Sequence, residues 1–540
     1  MAEFWRDISR REMLKSSTMA AMAAAITPEL LYVAAEAQGA AAATVEQWGI
    51  FEAFFPGPAA GNPFVEVEFA ATFEQSSKTT SVTGFYDGDG IYRVRFMPGS
   101  TGLWTYRTKS NRPELDGKTG SFTVHAPGAG NRGPVRVKDQ YHFVYADGTP
   151  YRELGTTCYA WTSQPNALEE QTLKTLAIAP FNKMRMCVFP KWFNYNHVEP
   201  PQYPFVGQAP NHWDFTQFNP AYFQHIERRI AQLGAMGIEA DLILFHPYDK
   251  EWGFDKMDAP TRDRYLHYVI ARFGAYRNVW WSLANEFDLI HAMTDADWDH
   301  AFQLVQSTDP YGHLRSIHNS KRFYNNALPW VTHASIQNGS AVKDPGRAEL
   351  YRDVWRKPVV YDEVKYEGNI RQRWGQLTGQ EMVERFWSGV VAGTYVGHSE
   401  CLPDATGGMW LNEGRVLRGQ SPPRLAFLRK VLDDSPPDGI DPIDPWQDTR
   451  MGGQPGKYYL LYFGTDAPAS WTFRLYKDGL AGGMKFKVDI LDTWAMTITP
   501  VDGDFVTKKA DNYTFVDATA RSIPLPSKPY LALRIRRVGG

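Results

Sequence analysis

The sequence predicts an α/β protein in which a (β/α)8 TIM barrel is flanked by two small all-β sandwich domains. Short strand-like runs fill both ends of the chain, apolar strands alternate with helical segments between them, and Gly/Pro-rich stretches separate these regions. A chain of 540 residues has room for three or four domain-sized units. The predicted layout is a signal peptide and spacer over residues 1–43, an N-terminal sandwich over 44–126, a barrel over 135–433 and a C-terminal sandwich over 438–540.

The first residues resemble a twin-arginine export signal. Arg10 and Arg11 precede a modestly apolar Ala/Met stretch, and the small residues at 35–37 offer a cleavage site. Pro28 and Glu29 make this stretch a poor membrane anchor. We expect export from a bacterial cytoplasm to the periplasm or beyond, with no membrane association once the signal is removed. An amphipathic helix with a chance arginine pair is the alternative.

The N-terminal sandwich is predicted from four runs. Residues 64–73 alternate apolar and polar side chains, and residues 84–98 contain a Gly/Asp turn between two strand-like halves. Residues 102–110 and 120–127 add further strands at the short spacing typical of sandwiches. The segment "PGAGNRGPV", residues 127–135, reads as a linker.

The barrel is predicted from apolar strands that alternate with helical stretches such as "AYFQHIERRIAQLGAMG" and "TRDRYLHYVIARFGAY". The eight predicted strands cover residues 151–158, 183–189, 238–245, 279–284, 313–318, 333–338, 358–363 and 393–399. A doubly wound open sheet is the alternative, but no Gly-rich phosphate loop follows any strand. From about residue 440 the chain returns to strands, including "YYLLYFGT" and "FKVDILDTW", which predict the second sandwich.

The overall charge and the cysteines exclude several classes of partner. The net charge is -3 and no long basic or acidic block occurs, which argues against nucleic acid or an anionic membrane. Cys158, Cys187 and Cys401 are too far apart to form a metal-type pair or a disulfide framework. Many of the 18 Trp and 27 Tyr stand beside Asn, Asp, Gly or Pro, where their flat faces suit sugar rings as well as protein cores.

Candidate site residues follow from the rule that the carboxyl ends of barrel strands form the active face. Asn285 and Glu286 end the fourth predicted strand, and Asp362 and Glu363 end the seventh. The expected substrate contacts from the other strand ends and loops are Trp192, Asn194, Tyr195, His246, Gln337, His398, Glu400 and Trp410. The long Gly-rich stretch after the eighth strand should form one side of the active site and influence substrate specificity.

Two carboxylates facing each other across a sugar are what glycoside hydrolysis requires. One protonates the leaving oxygen, while the other attacks the anomeric carbon or activates water. The strand ends supply such carboxylates together with amides and aromatics. They contain no Cys/His cluster and no serine in a sharp strand–turn–helix elbow.

Two of these strand ends resemble known motifs. "SLANEFD" and "VVYDEV" are similar to the acid/base and nucleophile motifs of clan A glycoside hydrolases. "VVYDEVKYEGNI", "VLRGQSPPRLAFLR" and the three-domain layout resemble a bacterial group related to apiosidases, over roughly residues 44–540. This resemblance implies a retaining enzyme without a cofactor, with Glu286 as general acid/base, Glu363 as nucleophile and Asn285 holding the sugar 2-hydroxyl.

These roles imply measurable properties. Desolvation by Trp280, Trp281 or other aromatics should raise the pKa of Glu286, whereas Tyr, Arg or His donors should keep Glu363 ionised. A retaining enzyme should place the two carboxyl groups about 5–5.5 Å apart. Asp362 is the rival nucleophile. Because neighbouring strand residues point to opposite faces, an inward Glu363 should leave Asp362 paired with the surrounding helices.

Two other functions remain open from sequence alone. A carbohydrate-binding protein on a barrel scaffold would have no need for both carboxylates. A metal-dependent hydrolase using His246, Asp249 and Glu286 would lack the closely spaced His/Asp ligand sets typical of such sites. The sugar, the linkage, the choice between internal and terminal cleavage, and the oligomeric state are all left open.

Overall fold

The computed structural model describes residues 43–249, 252–337, 341–476 and 478–539. The predicted export signal lies outside these ranges, so it stays a prediction. Within them, no helix combines the length and apolar character needed to cross a membrane.

The N-terminal region forms two facing sheets. The larger sheet consists, in spatial order, of Ala43–Glu46, Thr119–His125, Gly102–Ser110, Phe69–Gln75 and Lys78–Thr83, and the smaller of Phe51–Pro56, Ile91–Phe96 and Phe85–Tyr86. Stacked rings join them, with centroids 3.9 Å apart for Phe51 and Phe122 and 4.2 Å apart for Phe73 and Phe96. This core comes from the inward side chains of alternating strands, as in a β-sandwich.

The central region is an eight-stranded parallel barrel. Its strands are β1 (Gly155–Thr157), β2 (Lys183–Cys187), β3 (Glu239–Phe245), β4 (Val279–Ala284), β5 (Arg315–Ser316), β6 (Ala334–Gln337), β7 (Val359–Glu363) and β8 (Tyr395–His398). They pair in chain order, with β8 beside β1, and a parallel bridge between His318 and Ser335 joins the β5 and β6 ends of the sheet. The predicted barrel is confirmed, with each strand inside its predicted range.

In the part of the chain that the structure describes, seven long helices pack around the barrel. They are α1 (Asn166–Leu176), α2 (Pro220–Ala235), α3 (Ala259–Phe273), α4 (Asp295–Thr308), α5 (Pro345–Trp355), α6 (Gly379–Val391) and α7 (Ser421–Asp433). Helices α4 and α6 begin with capping boxes at Thr294 and Thr378, which satisfy otherwise unpaired backbone N–H groups. Residues 317–333, between β5 and β6, contain no helix.

Shorter strands and helices cover the two ends of the barrel. Val135–Lys138, His142–Tyr145 and Pro150–Tyr151 form a small sheet whose Phe143 packs against Trp280, so it covers the end where the strands begin. At the opposite end lie the hairpin Phe205–Gln208/His212–Phe218, the paired strands Glu367–Gly368 and Glu400–Cys401, and the short helices Trp161–Ser163, Phe254–Lys256, Phe287–Leu289, Ala341–Lys343, Arg373–Gly375 and Trp410–Glu413.

The C-terminal region is a separate, mainly antiparallel β-structure. One pairing path runs through Asp441–Pro442, Met451–Gln454, Tyr458–Tyr462, Leu531–Arg537, Lys485–Asp492, Phe505–Lys509, Thr514–Asp517 and Arg474–Tyr476, with Thr497–Pro500 paired beside it. Ser470–Thr472 and Ser522–Pro524 form a further pair. Side chains such as Phe473 and Phe486 make its apolar core. The sandwich-like architecture is confirmed, whereas the domain boundaries remain a prediction.

Buried ion pairs connect the N-terminal sheets to the barrel helices. Glu227 of α2 accepts hydrogen bonds from Arg95 at 2.5 and 3.1 Å and from Arg272 of α3 at 2.7 Å. Arg95 also donates to Glu52 at 2.6 Å, and all four side chains are buried. Buried charges are tolerated only when they are paired, so Glu227 compensates part of the desolvation cost of the two buried arginines.

Replacing Glu227 with glutamine should lower the free energy of unfolding by about 3–5 kcal/mol, the cost of removing one partner from a buried ion pair. The control is Asp295→Asn, which removes an exposed pair with Arg322 and should cost less than about 1 kcal/mol. Urea unfolding followed by fluorescence measures both. Equal midpoints for the two variants would show that the buried network does not stabilise this junction.

Candidate active site

Glu286 stands where β4 leaves the barrel wall. The backbone N–H of Asn285 donates to the Phe245 carbonyl at 3.0 Å, and that of Phe287 donates to the His318 carbonyl at 3.0 Å. Between them Glu286 adopts a left-handed conformation, with φ 49° and ψ 52°. A glutamate in this region is strained, and the flanking hydrogen bonds hold it there. The turn ends the apolar strand and directs the chain across the carboxyl end of the barrel.

The surroundings of Glu286 favour its neutral form. Burial of the carboxyl and the nearby charge of Glu363 raise the pKa of Glu286 to about 7, although the Lys191 ammonium acts in the opposite direction. The amide of Gln337 donates to Glu286 Oε1 at 3.1 Å and to the Ser320 carbonyl at 3.0 Å. Glu286 is therefore an oriented carboxylic acid whose pKa lies near neutral pH.

The cause of this pKa shift differs from the one predicted. Trp280 and Trp281 lie near the beginning of β4, where their indoles donate to Glu239 and Asp309 at 3.1 Å each. They therefore belong to the opposite part of the strand from Glu286. The raised pKa agrees with the prediction, which named Trp280, Trp281 or other aromatics as the source of desolvation, but these two tryptophans are not that source.

Glu363, at the end of β7, is surrounded by donors and cations. The Tyr159 hydroxyl donates to Glu363 Oε1, Arg185 Nη1 lies 4.0 Å from that oxygen and His318 Nδ1 lies 3.9 Å from it. Burial lowers the pKa of His318 to about 4, so this imidazole is neutral at neutral pH. Glu363 Oε1 thus has a hydroxyl donor and a guanidinium beside it.

A β-bulge at the end of β7 places Asp362 differently from the prediction. Ile336 pairs with Tyr361 but Gln337 pairs with Glu363, so Asp362 is an extra residue on β7. The regular alternation of side chains stops at this bulge. The expectation that Asp362 pairs with the outer helices is therefore wrong, because its partners lie on other barrel strands.

Asp362 is held inside the barrel by fixed partners. Its carboxylate accepts hydrogen bonds from Lys183 Nζ at 2.9 Å and Ser335 Oγ at 2.5 Å. Burial alone would raise the pKa of Asp362, but the charges of Lys183 and Arg185 outweigh burial and hold it below its usual range. Asp362 is thus an ionised structural counter-ion to the interior lysine and arginine.

Asn285 is oriented by the residues that surround Glu363. Its Oδ1 accepts from Arg185 Nη2 at 3.3 Å and lies 3.5 Å from the Tyr159 hydroxyl. Arg185 therefore connects Asn285, Asp362 and Glu363 in one polar network. With its oxygen occupied, Asn285 retains its amide N–H groups as donors.

The predicted substrate contacts divide into two groups. Gln337 touches Glu286, and the β2 loop carries the exposed Asn194 and the half-exposed Trp192 and Tyr195. The Tyr195 hydroxyl donates to Gln372 after β7, and its ring packs against Trp374 with centroids 6.0 Å apart. These side chains line loops at the carboxyl end of the barrel.

Four other predicted contacts are buried, and each has at least one polar atom bonded to a protein group. His246 contacts the Phe189 carbonyl and the Tyr248 N–H at 3.2 Å each, so both ring nitrogens have backbone partners. His398 and the Trp410 indole share Thr156 Oγ1, at 3.2 and 2.8 Å. Glu400 accepts backbone N–H groups of Arg418 and Gly419. These four side chains support the loops around the site in this structure, and their contact with substrate stays a prediction.

Candidate metal ligands converge at one place in the described part of the chain. Donor atoms of Glu367, His398 and Glu400 lie within 4.8 Å of one another, whereas His246, Asp249 and Glu286 form no such group among the described residues. Both carboxylates of the first group already accept backbone N–H groups from residues 418–421. A Cβ on Gly419 would lie 2.5 Å from each carboxylate, so backbone fills the space between them.

Sequence reasoning missed three residues of the site. Arg185 is a charge inside the apolar strand "KMRMCVF", a pattern that hinted at an interior pairing role. His318 lies at the end of a weakly patterned strand, and Lys191 follows β2 in an unpatterned loop. Their proximity to the Glu286–Glu363 pair depends on the closure of the barrel and has no local signal.

Comparison with protein families agrees with this geometry. Residues 137–399 match the apiosidase-like catalytic domain family. Residues 44–111 and 446–536 match two domains of unknown function, DUF5060 and DUF5605. No curated protein matches the chain.

Solved structures extend the similarity over nearly the whole chain. A Bacteroides vulgatus ATCC 8482 protein described as a candidate glycoside hydrolase is 41% identical over 92% of this chain and 100% of its own, with a TM-score of 0.89. A glycoside hydrolase family 5 protein from the same organism shares the fold, with a TM-score of 0.55, 15% identity and coverage of 75% of this chain and 94% of its own. This chain therefore belongs to the apiosidase-like family of glycoside hydrolases.

Proposed function

We propose that this protein is a retaining glycosidase that cleaves O-glycosidic bonds of plant or bacterial oligosaccharides or polysaccharide side chains. The observation that carries the proposal is the opposite environment of two carboxyl groups in one site. Burial and a neighbouring charge favour neutral Glu286, whereas Glu363 accepts a hydrogen bond from Tyr159 and lies 4.0 Å from the Arg185 guanidinium. Such a pair supplies the proton donor and the nucleophile of a double displacement.

In the first step Glu286 donates its proton to the departing glycosidic oxygen while Glu363 Oε attacks the anomeric carbon. The C–O bond to the leaving group breaks, and a glycosyl ester on Glu363 forms. In the second step ionised Glu286 takes a proton from water, which attacks the same carbon and releases Glu363. Two inversions at one carbon return the original anomeric configuration.

The surrounding side chains prepare these two carboxyl groups. Tyr159 and Arg185 fix Glu363 and compensate its charge, and Asn285, oriented by Arg185, donates to the sugar 2-hydroxyl. Gln337 orients Glu286 towards the leaving oxygen. The half-exposed aromatic rings of Trp192 and Tyr195 offer stacking faces for sugar rings beside this centre.

Export by the twin-arginine pathway and the three-domain layout belong to the same proposal. An exported enzyme meets extracellular glycans directly, which agrees with the substrate class. The family match makes apiosides the first sugars to test. We propose that the two sandwiches brace the barrel.

The proposed function is tested by incubating the purified protein and its Glu363→Gln variant with aryl glycosides and with plant and bacterial oligosaccharides. The expected result is a released sugar whose first-formed anomer, followed by NMR, has the configuration of the substrate. Inversion would contradict the double displacement and the predicted carboxyl separation of about 5–5.5 Å. No cleavage, with binding of the same sugars in calorimetry, would favour a carbohydrate-binding protein.

The rate should depend on pH through Glu286. The enzyme needs this carboxyl protonated, and its pKa is raised to about 7, so kcat/KM should fall about tenfold per unit as pH rises above 7. The pH profile of kcat/KM, measured with an unactivated substrate, reports this group in the free enzyme. A profile that stays flat between about pH 6 and 9 would exclude Glu286 as the proton donor.

A further inference from the structure

Lys191, four residues after β2, carries a buried ammonium group in an aromatic cage. Its Nζ lies 3.5 Å from the ring centroid of Tyr159, 4.4 Å from that of Tyr248 and 4.6 Å from that of Phe193. Only 4% of the residue is exposed. Three π faces attract a cation, but they accept its N–H hydrogens weakly compared with an oxygen.

No acidic group among the described residues lies at ion-pair distance from this ammonium, which contacts the three rings. Lys183, also on the barrel interior, differs sharply because it lies 2.7 Å from Glu153 and 2.9 Å from Asp362. Burying an ammonium without an oxygen acceptor is costly. A hydrogen-bond acceptor on a bound ligand would therefore stabilise the Lys191 ammonium in its cage.

Tyr159 connects Lys191 to the reacting groups. The face of its ring contacts the ammonium, while its hydroxyl donates to Glu363. The charges of Glu363 and Glu286 favour the protonated form of Lys191, whereas its burial and the charge of Arg185 oppose it. The Tyr159 side chain thus contacts both the ammonium and Glu363.

We propose that Lys191 is a substrate-binding residue whose ammonium donates to an oxygen of the sugar held between Glu286 and Glu363. This inference rests on the proposed function. The acceptor is a hydroxyl of a neutral sugar or a carboxylate of a uronic acid, which share the same chemistry towards an ammonium. The bound sugar supplies an oxygen acceptor in addition to the three rings.

The test compares Lys191→Met, which keeps length and apolar contacts, with Lys191→Arg, which keeps the charge. The control is Lys357→Met. Lys357 is a half-buried lysine just before β7, at the end of the barrel opposite the site, and it donates to the Leu328 carbonyl. Loss of a hydrogen bond from a charged donor should lower kcat/KM of Lys191→Met by roughly 10- to 150-fold, with partial recovery in Lys191→Arg. A loss within threefold of the control would overturn the proposal.

Paired aryl hexosides and hexuronides separate the two acceptors. If Lys191→Met loses more kcat/KM on the hexuronide than on the hexoside, the acceptor is a carboxylate. Equal losses of kcat/KM on the two substrates identify a hydroxyl. The alkaline limb of the kcat/KM profile should also move to higher pH in Lys191→Met, because the variant lacks the charge that opposes proton retention by Glu286. This shift reports the proximity of Lys191 to Glu286, whereas the loss of kcat/KM reports its contact with the sugar.

A substrate-free measurement separates failure of this inference from failure of the proposed function. Carbon-13 NMR of glutamate-labelled protein follows the titration of Glu286, assigned by its absence from Glu286→Gln. We expect a higher midpoint in Lys191→Met than in wild type or Lys357→Met, and an unchanged midpoint overturns the placement of Lys191. If wild type cleaves no glycoside, calorimetry with the same sugars decides whether Lys191→Met weakens binding, and equal affinities refute its role.

Discussion

Replacing Glu363 with glutamine should lower kcat by roughly 10⁴- to 10⁶-fold, the range found when a covalent nucleophile is removed. Glutamine keeps the size of the side chain and its hydrogen bond with the Tyr159 hydroxyl, so the barrel should stay folded. The loss should appear equally with activated and unactivated aryl glycosides, because formation of the glycosyl ester precedes every later step. Steady-state kinetics with both substrate types measures it.

The smaller variant Glu363→Gly gives a positive test of the same role. Removing the carboxylate leaves room for azide to attack the anomeric carbon in its place. A single displacement then gives a glycosyl azide with inverted configuration, which NMR identifies. Rescue with retained configuration would instead assign Glu363 to proton transfer.

Asp362→Asn provides the matched comparison because it changes the neighbouring carboxylate. Asp362 is bonded to Lys183 and Ser335, and removing its charge leaves a buried lysine with fewer partners. We therefore expect lower stability, while any folded fraction should keep its reaction stereochemistry. If Asp362→Asn is as stable as wild type, loses all glycosidase activity and regains it with azide, the nucleophile is Asp362 and not Glu363.

The barrel was predictable because its signal is local and repeated. Apolar runs of strand length alternate with amphipathic helices, and this pattern fixes both the parallel pairing and the end of each strand where polar residues gather. Glu286 and Glu363 were found by this rule. The missing helix between β5 and β6 changes neither strand order nor the location of the carboxyl ends.

The bulge at Asp362 had no local signal. It arises from the pairing of β7 with β6, where Gln337 faces Glu363 although Ile336 faces Tyr361. Tyr361 packs outward against Tyr351 of α5 and Asp362 points into the barrel, so alternation holds up to Asp362 and fails at Glu363. The rule that only one of the two carboxylates can face inward therefore directed Asp362 to the wrong side of the strand. The contacts of Arg185 and Lys191 are similarly long-range, because their partners come from strands and loops far along the chain.

The buried supports show a second limit of reading strand ends. His398 and Trp410 were selected by their position after β8, yet both bond to Thr156 beneath the surface. Position along the strand predicts which end of the barrel a residue occupies. It does not predict whether the following loop covers that residue, which depends on how the loop folds back.

Replacing Glu286 with glutamine should produce a loss that depends on the leaving group. Unactivated glycosides need protonation of the departing oxygen, so their kcat/KM should fall roughly 10²- to 10⁴-fold, the usual contribution of general acid catalysis. A dinitrophenyl glycoside leaves without protonation, and its kcat/KM should change by less than about tenfold. Its deglycosylation remains slow, because no general base activates water, so a burst of dinitrophenolate should precede the steady state.

Azide distinguishes this role from that of Glu363 by stereochemistry. In Glu286→Ala it should attack the glycosyl ester on Glu363, giving a second displacement and a glycosyl azide with retained configuration. The control is Glu239→Gln, since Glu239 is also buried with a pKa raised to about 8 but bonds to Trp280 where β3 begins. This variant should keep the wild-type dependence on leaving group, because a raised pKa gives a catalytic acid only where the proton can reach the departing oxygen. Equal losses for both aryl substrates in Glu286→Gln would place the proton donor elsewhere, even with Glu363 confirmed as the nucleophile.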